Sequence, residues 1–230
     1  MKKVSIIIPV YNENETFMQL LTKVENANFS GLEKEIIITD DCSNDGTTEI
    51  LKQLGDKYKV FFHSKNQGKG AAIRTAVKAA TGDFVVIQDA DLEYLPDDYD
   101  KLLPFLIENK ADVVYGSRFL NSDNSKNFML KNKIANKFLT TLTNILFGAK
   151  ITDMETCYKA FKREFIQNIY IKSNRFDFEP EITAKVMKQK ARLVEVPITY
   201  AGRSHNEGKK INYKDGIQAI LTLIKYRFTD

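Results

Sequence analysis

The stretch Val4-Ser5-Ile6-Ile7-Ile8-Pro9-Val10 runs directly into Tyr11-Asn12-Glu13 and then into a helical segment, Glu15 to Asn26. Its apolar run is continuous rather than alternating, which marks a strand covered on both faces, as βαβ crossovers produce. The same rhythm follows downstream. Glu35 to Thr39 precedes a helix over Thr47 to Leu54, Lys59 to Phe62 precedes Gly70 to Ala80, Phe84 to Gln88 precedes Asp97 to Glu108, and Asp112 to Tyr115 closes the series. This alternation predicts an α/β fold with a doubly wound, mostly parallel sheet flanked by helices. Ligands of such sheets bind beyond the carboxyl ends of the strands, so the residues just after each strand carry the functional information.

After Gly116 the rhythm breaks. Ser117 to Asn127 reads as loop, Phe128 to Gly148 as a long helix, Glu181 to Gln189 as a helix followed by a strand over Arg192 to Tyr200, and Asp215 to Phe228 as a C-terminal helix. The basic stretch Gly202 to Lys210 reads as a loop within one domain rather than a linker. Both long helices carry apolar stripes: Ile134, Phe138, Leu142, Ile145 and Leu146 in the first, Ile217, Ile220, Leu221, Ile224 and Phe228 in the second. Lysines and arginines accompany both stripes, a pattern that suits an anionic membrane surface as well as it suits core packing.

Composition narrows the classes. The 230 residues are 43% hydrophobic and 28% charged, which excludes disorder, collagen-like repeats and coiled coil. With 34 Lys and Arg against 30 Asp and Glu, the net charge of +4 is too mild for nucleic acid to be the expected partner. The two cysteines, Cys42 and Cys157, form no CxxC pair or Cys/His cluster, so neither a disulfide framework nor a structural zinc is expected, and a reducing cytoplasm is. Met1-Lys2-Lys3 leads straight into a strand, leaving no room for a signal-peptide core. No apolar run reaches the ~20 residues a spanning helix needs, so any membrane role is expected to be peripheral.

The strand ends hold the chemistry. Phe84 to Gln88 ends in Asp89-Ala90-Asp91-Leu92-Glu93, with acids at alternate positions that an extended chain would place on one side. Such hard oxygen donors suit Mg²⁺ or Mn²⁺, which can bridge a diphosphate to a protein. The second strand ends in Asp40-Asp41-Cys42-Ser43, the third leads to Asn66-Gln67-Gly68-Lys69-Gly70, and the first to Pro9-Val10-Tyr11-Asn12-Glu13. Singly, these are helix caps and tight turns. Together they describe a coordinated site. GxGxxG is absent after the first strand and the spacing before Lys69 is not that of a P-loop, which removes the main support for dinucleotide oxidoreductases and P-loop ATPases.

Val4 to Glu13, Asp40-Asp41-x-Ser43, Asn66-x-Gly68-Lys69-Gly70, Asp89-x-Asp91, Gly116-Ser117-Arg118 and Arg203 through Lys209 together resemble the family 2 glycosyltransferases of GT-A fold. Within that family the resemblance is to the polyprenyl-phosphate hexosyltransferases of the dolichol-phosphate mannosyltransferase type. It covers most of the chain and implies a single domain over 1–230, with a nucleotide-binding half (1–116) and an acceptor-side half (117–230).

The resemblance implies a nucleotide pocket in which Pro9, Tyr11 and Glu13 contact base and ribose, with Ile38 and Asp40 beside the base. Asp89, Ala90 and Asp91 would meet the sugar diphosphate, and Asp91 and Glu93, with Asp89, would hold the metal. Glu93 stands where the mannosyl branch often has Gln. Arg118 and Lys131 match positions that meet the acceptor phosphate, Lys131 where Arg is common, and Asp153 falls where the family often has an Asp before its acceptor-side loop. Arg203 and Lys209 match the basic loop that closes on the diphosphate. Of these, Asp89, Asp91, Arg118 and Arg203 are the residues implied to carry the reaction.

The implied reaction is an inverting, metal-dependent transfer of mannose or glucose from a GDP- or UDP-sugar to a polyprenyl phosphate at the inner face of the membrane. An anionic phosphate oxygen attacks without a general base, so positioning and charge stabilisation are the protein's work. A sugar or protein hydroxyl acceptor would instead need a carboxylate base, for which Glu179 and Glu181 are candidates, although acids and Pro180 also suit a helix start. A membrane-associated module without turnover is the remaining alternative. His63 reads as structural, and His205 lies in the basic loop.

Overall fold

The computed structural model describes residues 1–121, 130–202 and 213–229. Seven strands form one sheet: β1 (Lys3–Val10), β2 (Glu33–Asp40), β3 (Lys59–Phe62), β4 (Phe84–Ile87), β5 (Val113–Ser117), β6 (Lys159–Lys162) and β7 (Leu193–Pro197), in the order β3-β2-β1-β4-β6-β5-β7. β1 pairs in parallel with β2 and β4, β2 with β3, and β5 with β7, whereas β6 runs antiparallel between β4 and β5. The helices are α1 (Phe17–Asn26), α2 (Thr47–Gln53), α3 (Lys69–Ala79), α4 (Tyr99–Ile107), α5 (Leu130–Phe147), α6 (Arg163–Gln167), α7 (Phe178–Lys188) and α8 (Tyr213–Phe228).

The continuous apolar strands are covered twice, as their composition requires. Ile6, Ile8, Ile36 and Ile38 face one layer, where α1 contributes Phe17 and Leu20 and α4 contributes Leu102 and Leu106. Ile7, Ile37, Val85 and Ile87 face the other, against Ile73 and Val77 of α3 and Ile182 and Val186 of α7. In-register pairing of Ile6 with Ile36, Ile7 with Ile37 and Ile8 with Ile38 keeps each set on its own side. A third, smaller cluster joins Leu139 of α5 to Ala219 and Leu223 of α8 through Ile151 and Met154.

Three departures from the sequence reading matter. β6 and α6 lie in a stretch that carried no assignment, because four residues bounded by lysines give too short an apolar signal. The last strand stops at Pro197 instead of Tyr200, and Tyr200 leaves the sheet to make an isolated bridge with Tyr94. The apolar stripes of α5 and α8 divide: Leu142, Leu146 and Ile220 pack partly buried against the cluster of Leu139 and Leu223, while Ile134, Phe138 and Ile145 on α5 and Ile217, Leu221, Ile224 and Phe228 on α8 stay exposed. Among the described residues no helix is long and apolar enough to cross a membrane.

Candidate active site

The ends of β1 and β4 and the loops after β2 and β3 surround a cleft of about 260 Å³. Its walls are Pro9, Val10, Tyr11 and Glu13 from the first strand end, Asp41 after β2, Asn66, Gly68, Lys69 and Ala72 at the start of α3, Asp89, Ala90 and Asp91 after β4, and Arg175 and Phe176 from the loop before α7.

The adjacent aspartates at the end of β2 divide their labour. Asp40 closes its own turn, accepting from the Ser43 amide and hydroxyl through Oδ1 and from the Thr48 hydroxyl through Oδ2. Asp41 reaches across to the next loop, where it accepts from the amides of Gln67 (2.9 Å) and Gly68 (2.6 Å). His63 Nδ1 lies 2.7 Å from the same carboxylate and Nε2 lies 2.9 Å from Thr75 Oγ1. His63 is thus a structural brace, as its position at a strand end suggested. Ile38 is fully buried in the core, and neither it nor Asp40 lines the cleft.

The loop so braced needs its glycines. Gly68 has φ +100°, and a Cβ on Gly70 would stand 2.6 Å from the Ser173 carbonyl. Only glycines let the start of α3 pack directly on residues 173–175, which brings Arg175 and Phe176 to the cleft. The start of α3 thus borders the cleft with the Gly68 amide held by Asp41 and the Ala71 amide by the Asn174 carbonyl.

Asp89, Asp91 and Glu93 do not share one side of an extended chain. β4 ends at Ile87, Leu92 takes a left-handed φ of +63°, and Asp91 Oδ1 accepts from the Glu93 amide at 3.1 Å, folding the segment into a turn. Asp89 is ion-paired with Lys69 at 2.8 Å, and Lys69 also stands 3.1 Å from Glu179. Burial alone would lower the Lys69 pKa, but Asp89 and Glu179 outweigh it and raise it well above the usual lysine value. Glu93 accepts from the Tyr200 hydroxyl at 3.0 Å. No three acidic, histidine or cysteine side chains gather into a ready metal cluster among the described residues.

On the acceptor side Arg118 and Asp153 prove to be partners. Arg118 donates from Nε (2.7 Å) and Nη2 (2.8 Å) to the two oxygens of Asp153, and its own amide adds a third bond (3.0 Å). Asn136 of α5 donates to the same carboxylate at 2.7 Å. Asp153 is completely buried, and the Arg118 guanidinium lies 5.2 Å from the Tyr200 ring and 5.9 Å from that of Tyr94. Lys131 is exposed in the first turn of α5. Arg203, Lys209 and His205 lie outside the described residues.

Of the two candidate bases, Glu181 is fully committed: it accepts from the amides of Lys172 and Ser173 and pairs with Lys185 at 2.5 Å. Lys69, which carried a motif but no assigned role, proves to be a cation of the cleft wall, as is Arg175. Arg175 and Phe176 gave no local signal.

A sequence model described as "Glycosyl transferase family 2" matches residues 5–170. The chain belongs to that family. A dolichol-phosphate mannosyltransferase of Pyrococcus furiosus is 33% identical over 212 residues, covering 90% of this chain and 59% of the relative, so the chain spans well under two thirds of that protein's length. A UDP-N-acetylglucosamine–dolichyl-phosphate N-acetylglucosaminyltransferase of Methanococcus voltae is 28% identical over 97% of this chain and 95% of its own. Among solved structures, glucosyl-3-phosphoglycerate synthase from Mycobacterium tuberculosis, in complex with Mn²⁺, UDP and phosphoglyceric acid, superposes with a TM-score of 0.77 at 17% identity over all of this chain and 80% of that one. At that identity the likeness concerns the fold, a seven-strand sheet flanked by helices of the GT-A glycosyltransferase type.

Proposed function

We propose that this glycosyltransferase moves a sugar from a nucleoside diphosphate to a polyprenyl phosphate at a membrane surface. One observation carries the reading. The stripe Ile217, Leu221, Ile224 and Phe228 faces outward on α8, with Phe228 80% exposed, and Ile134, Phe138 and Ile145 do the same on the α5 helix packed beside it. A fold that has two covered sheet faces has no need of this second apolar surface, and interfacial binding to lipid does. The relatives named for dolichyl-phosphate transfer support it.

In this reading the nucleotide lies along Pro9, Tyr11 and Glu13, its diphosphate between the start of α3 and Asp89 to Asp91. Asp91 on the cleft wall and the adjacent Glu93 offer the hard oxygen donors that fit Mg²⁺ or Mn²⁺, whereas Asp89 is occupied by Lys69. Such an ion, when bound, neutralises charge on the departing diphosphate. Lys69 holds Asp89 in place and adds positive charge beside the leaving group. Arg118, fixed by Asp153, presents a rigid guanidinium beneath Tyr94 and Tyr200 for the acceptor phosphate, whose anionic oxygen attacks without a base. Commitment of Glu181 to backbone amides weakens the alternative of a hydroxyl acceptor activated by that residue.

The test offers the protein UDP-glucose, UDP-N-acetylglucosamine and GDP-mannose, each radiolabelled, with Mg²⁺ or Mn²⁺ and a polyprenyl phosphate. Acid-labile label in the organic phase is expected for one donor. Label transferred only to water-soluble carbohydrate would replace the lipid acceptor with a hydroxyl one.

A further inference from the structure

The loop after α5 that carries Asp153 hangs from two rigid elements. Four consecutive backbone amides of that loop each donate to a side chain from outside it. The outer two reach α5: the Ile151 amide donates to Asn144 Oδ1 at 3.0 Å and the Met154 amide to Thr140 Oγ1 at 3.0 Å. The inner two, of Thr152 and Asp153, donate to the two carboxylate oxygens of Glu195 on β7 at 2.7 and 3.0 Å. Asn144 also donates to the Ile151 carbonyl at 2.8 Å, and the Thr152 hydroxyl lies 2.6 Å from that of Ser117, the residue before Arg118. A buried amide needs a partner, but a turn or a water satisfies that need as well. Side chains from a helix and a strand fix, in addition, where the loop stands.

What the loop carries is the Asp153 carboxylate. Its Oδ1 accepts from Arg118 Nη2 and, at 2.7 Å, from Nδ2 of the buried Asn136. The Thr140 hydroxyl decides which way that amide faces. Its oxygen takes the Met154 amide and its proton goes to Asn136 Oδ1 at 3.0 Å, which leaves Nδ2 for the carboxylate. Asn136, Thr140 and Asn144 thus form a polar stripe at i, i+4 and i+8 along the side of α5 that meets the loop. Ile134, Phe138 and Ile145 of the same helix stay exposed.

We propose that Asn136 and Thr140 are positioning residues for the acceptor phosphate, acting through Asp153 on the Arg118 guanidinium. Because their helix also carries the exposed apolar stripe, they hold that guanidinium at a fixed height relative to the surface that meets lipid. A bilayer presents a lipid phosphate at one depth, and a guanidinium about 1 Å out of register grips it poorly. The contact of Arg118 with an acceptor phosphate rests on the function proposed above, whereas the placing of its side chain does not.

Two measurements separate these parts. Modification of Arg118 by phenylglyoxal, followed by mass spectrometry of the intact protein's peptides, reads the guanidinium without any substrate, and Arg192, paired with Asp112, serves as internal reference. Asn136→Ala and Thr140→Val are each expected to speed modification of Arg118 about tenfold and to leave Arg192 unchanged, and Thr140→Ser, which keeps the hydroxyl, to restore the wild-type rate. Two separate variants keep the test decisive should one fail to fold. Transfer to polyprenyl phosphate in liposomes reads the consequence: an acceptor KM raised about tenfold in Asn136→Ala and Thr140→Val, with the donor KM unchanged and Thr140→Ser at the wild-type value. An Arg118 rate that stays at the wild-type value in both variants, or that rises only together with that of Arg192, overturns the positioning role. An unchanged acceptor KM alongside faster modification overturns the link to the acceptor. Should the wild type transfer nothing to polyprenyl phosphate, the acceptor reading falls, while the modification rates still decide whether Asn136 and Thr140 place Arg118.

Discussion

Glu35 and Glu155 sit at opposite ends of the sheet and live opposite electrostatic lives. Glu35, near the start of β2, is 12% exposed as a side chain and surrounded by donors: the Ser5 hydroxyl, the amides of Thr81 and Gly82, the Thr81 hydroxyl and the ammonium of Lys59. Burial would raise its pKa, but those hydrogen bonds win and lower it to about 2. Glu155, at the carboxyl end, has an orphan oxygen and a pKa pushed up to about 8 by burial and like charge. Folding surrounds the one carboxylate, at the base of the sheet, with donors and leaves an oxygen of the other, at the top, without a partner. A carboxyl that stabilises the scaffold collects donors, and one that the scaffold merely tolerates is a candidate for work on a ligand.

The first way to break this contrast is to show that the top is simply loosely built. Arg118→Ala tests that. It leaves Asp153, wholly buried, without its bidentate partner, so a loss of about 3–5 kcal/mol in chemical denaturation is expected. A loss under about 1 kcal/mol would mean that the acceptor side is not rigidly held, and the contrast with the base would then reflect looseness instead of function.

The next effect is smaller and lies at the base. Glu35→Gln keeps the shape but weakens charge-assisted hydrogen bonds, for an expected cost of about 2 kcal/mol at neutral pH. The pH dependence gives the sign. Because the folded pKa, about 2, lies below the ordinary value of 4.5, Glu35 stabilises above that value and its contribution is lost as the pH falls toward 2. The variant should therefore lose less stability than the wild type between about pH 4.5 and about pH 2. Parallel acid-denaturation curves would place the strength of the base elsewhere.

Much of this arrangement was legible in the residue order, and the gaps have physical causes. β1, β2 and β4 announce themselves because strands covered twice are apolar without interruption, and their polar ends locate the cleft. β6 was hidden because Lys159, which reads as a surface residue, is buried against Tyr115. Arg175 and Phe176 reach the cleft only because Gly68 and Gly70 permit close packing on residues 173–175, a contact across about a hundred positions that no local pattern encodes. The alternation in Asp89-x-Asp91-x-Glu93 pointed to a segment that lines the cleft at Asp89 and Asp91 but not to its geometry, since the left-handed Leu92 turns the chain. Arg118 and Asp153 were each singled out, but their pairing is a tertiary fact.

A third substitution sharpens the contrast by reversing its sign. Glu155 has a folded pKa above the ordinary glutamate value, so the wild type loses stability as the pH rises from about 4.5 to about 8. Glu155→Gln removes that penalty while keeping the shape. It is expected to be more stable than the wild type at alkaline pH, by about 1–2 kcal/mol, with the gain shrinking toward acid. Denaturant midpoints across pH check this, and a variant less stable than the wild type at every pH would class Glu155 with Glu35.

The smallest stability effect belongs to the exposed stripe of α8, where surface that folding leaves uncovered should be removable at no cost to folding. Leu221 and Ile224 are 56% and 43% exposed, whereas Leu223 and Tyr226 on the opposite face hold the helix to the rest of the chain. Leu221→Asp with Ile224→Asp is therefore expected to change stability by no more than about 0.5 kcal/mol. Sedimentation with liposomes of anionic lipid should fall sharply in the same variant. Two charges placed at the membrane boundary oppose both apolar insertion and the attraction of Lys225 and Arg227 to the lipid headgroups. Raising the salt should weaken wild-type binding further, because part of that attraction is screened within about 10 Å at 0.1 M. A variant that loses several kcal/mol would show the stripe to be packed against the chain itself. One that keeps both its stability and its liposome binding would move the membrane contact to Ile134, Phe138 and Ile145 on α5, where the same pair of measurements can be repeated.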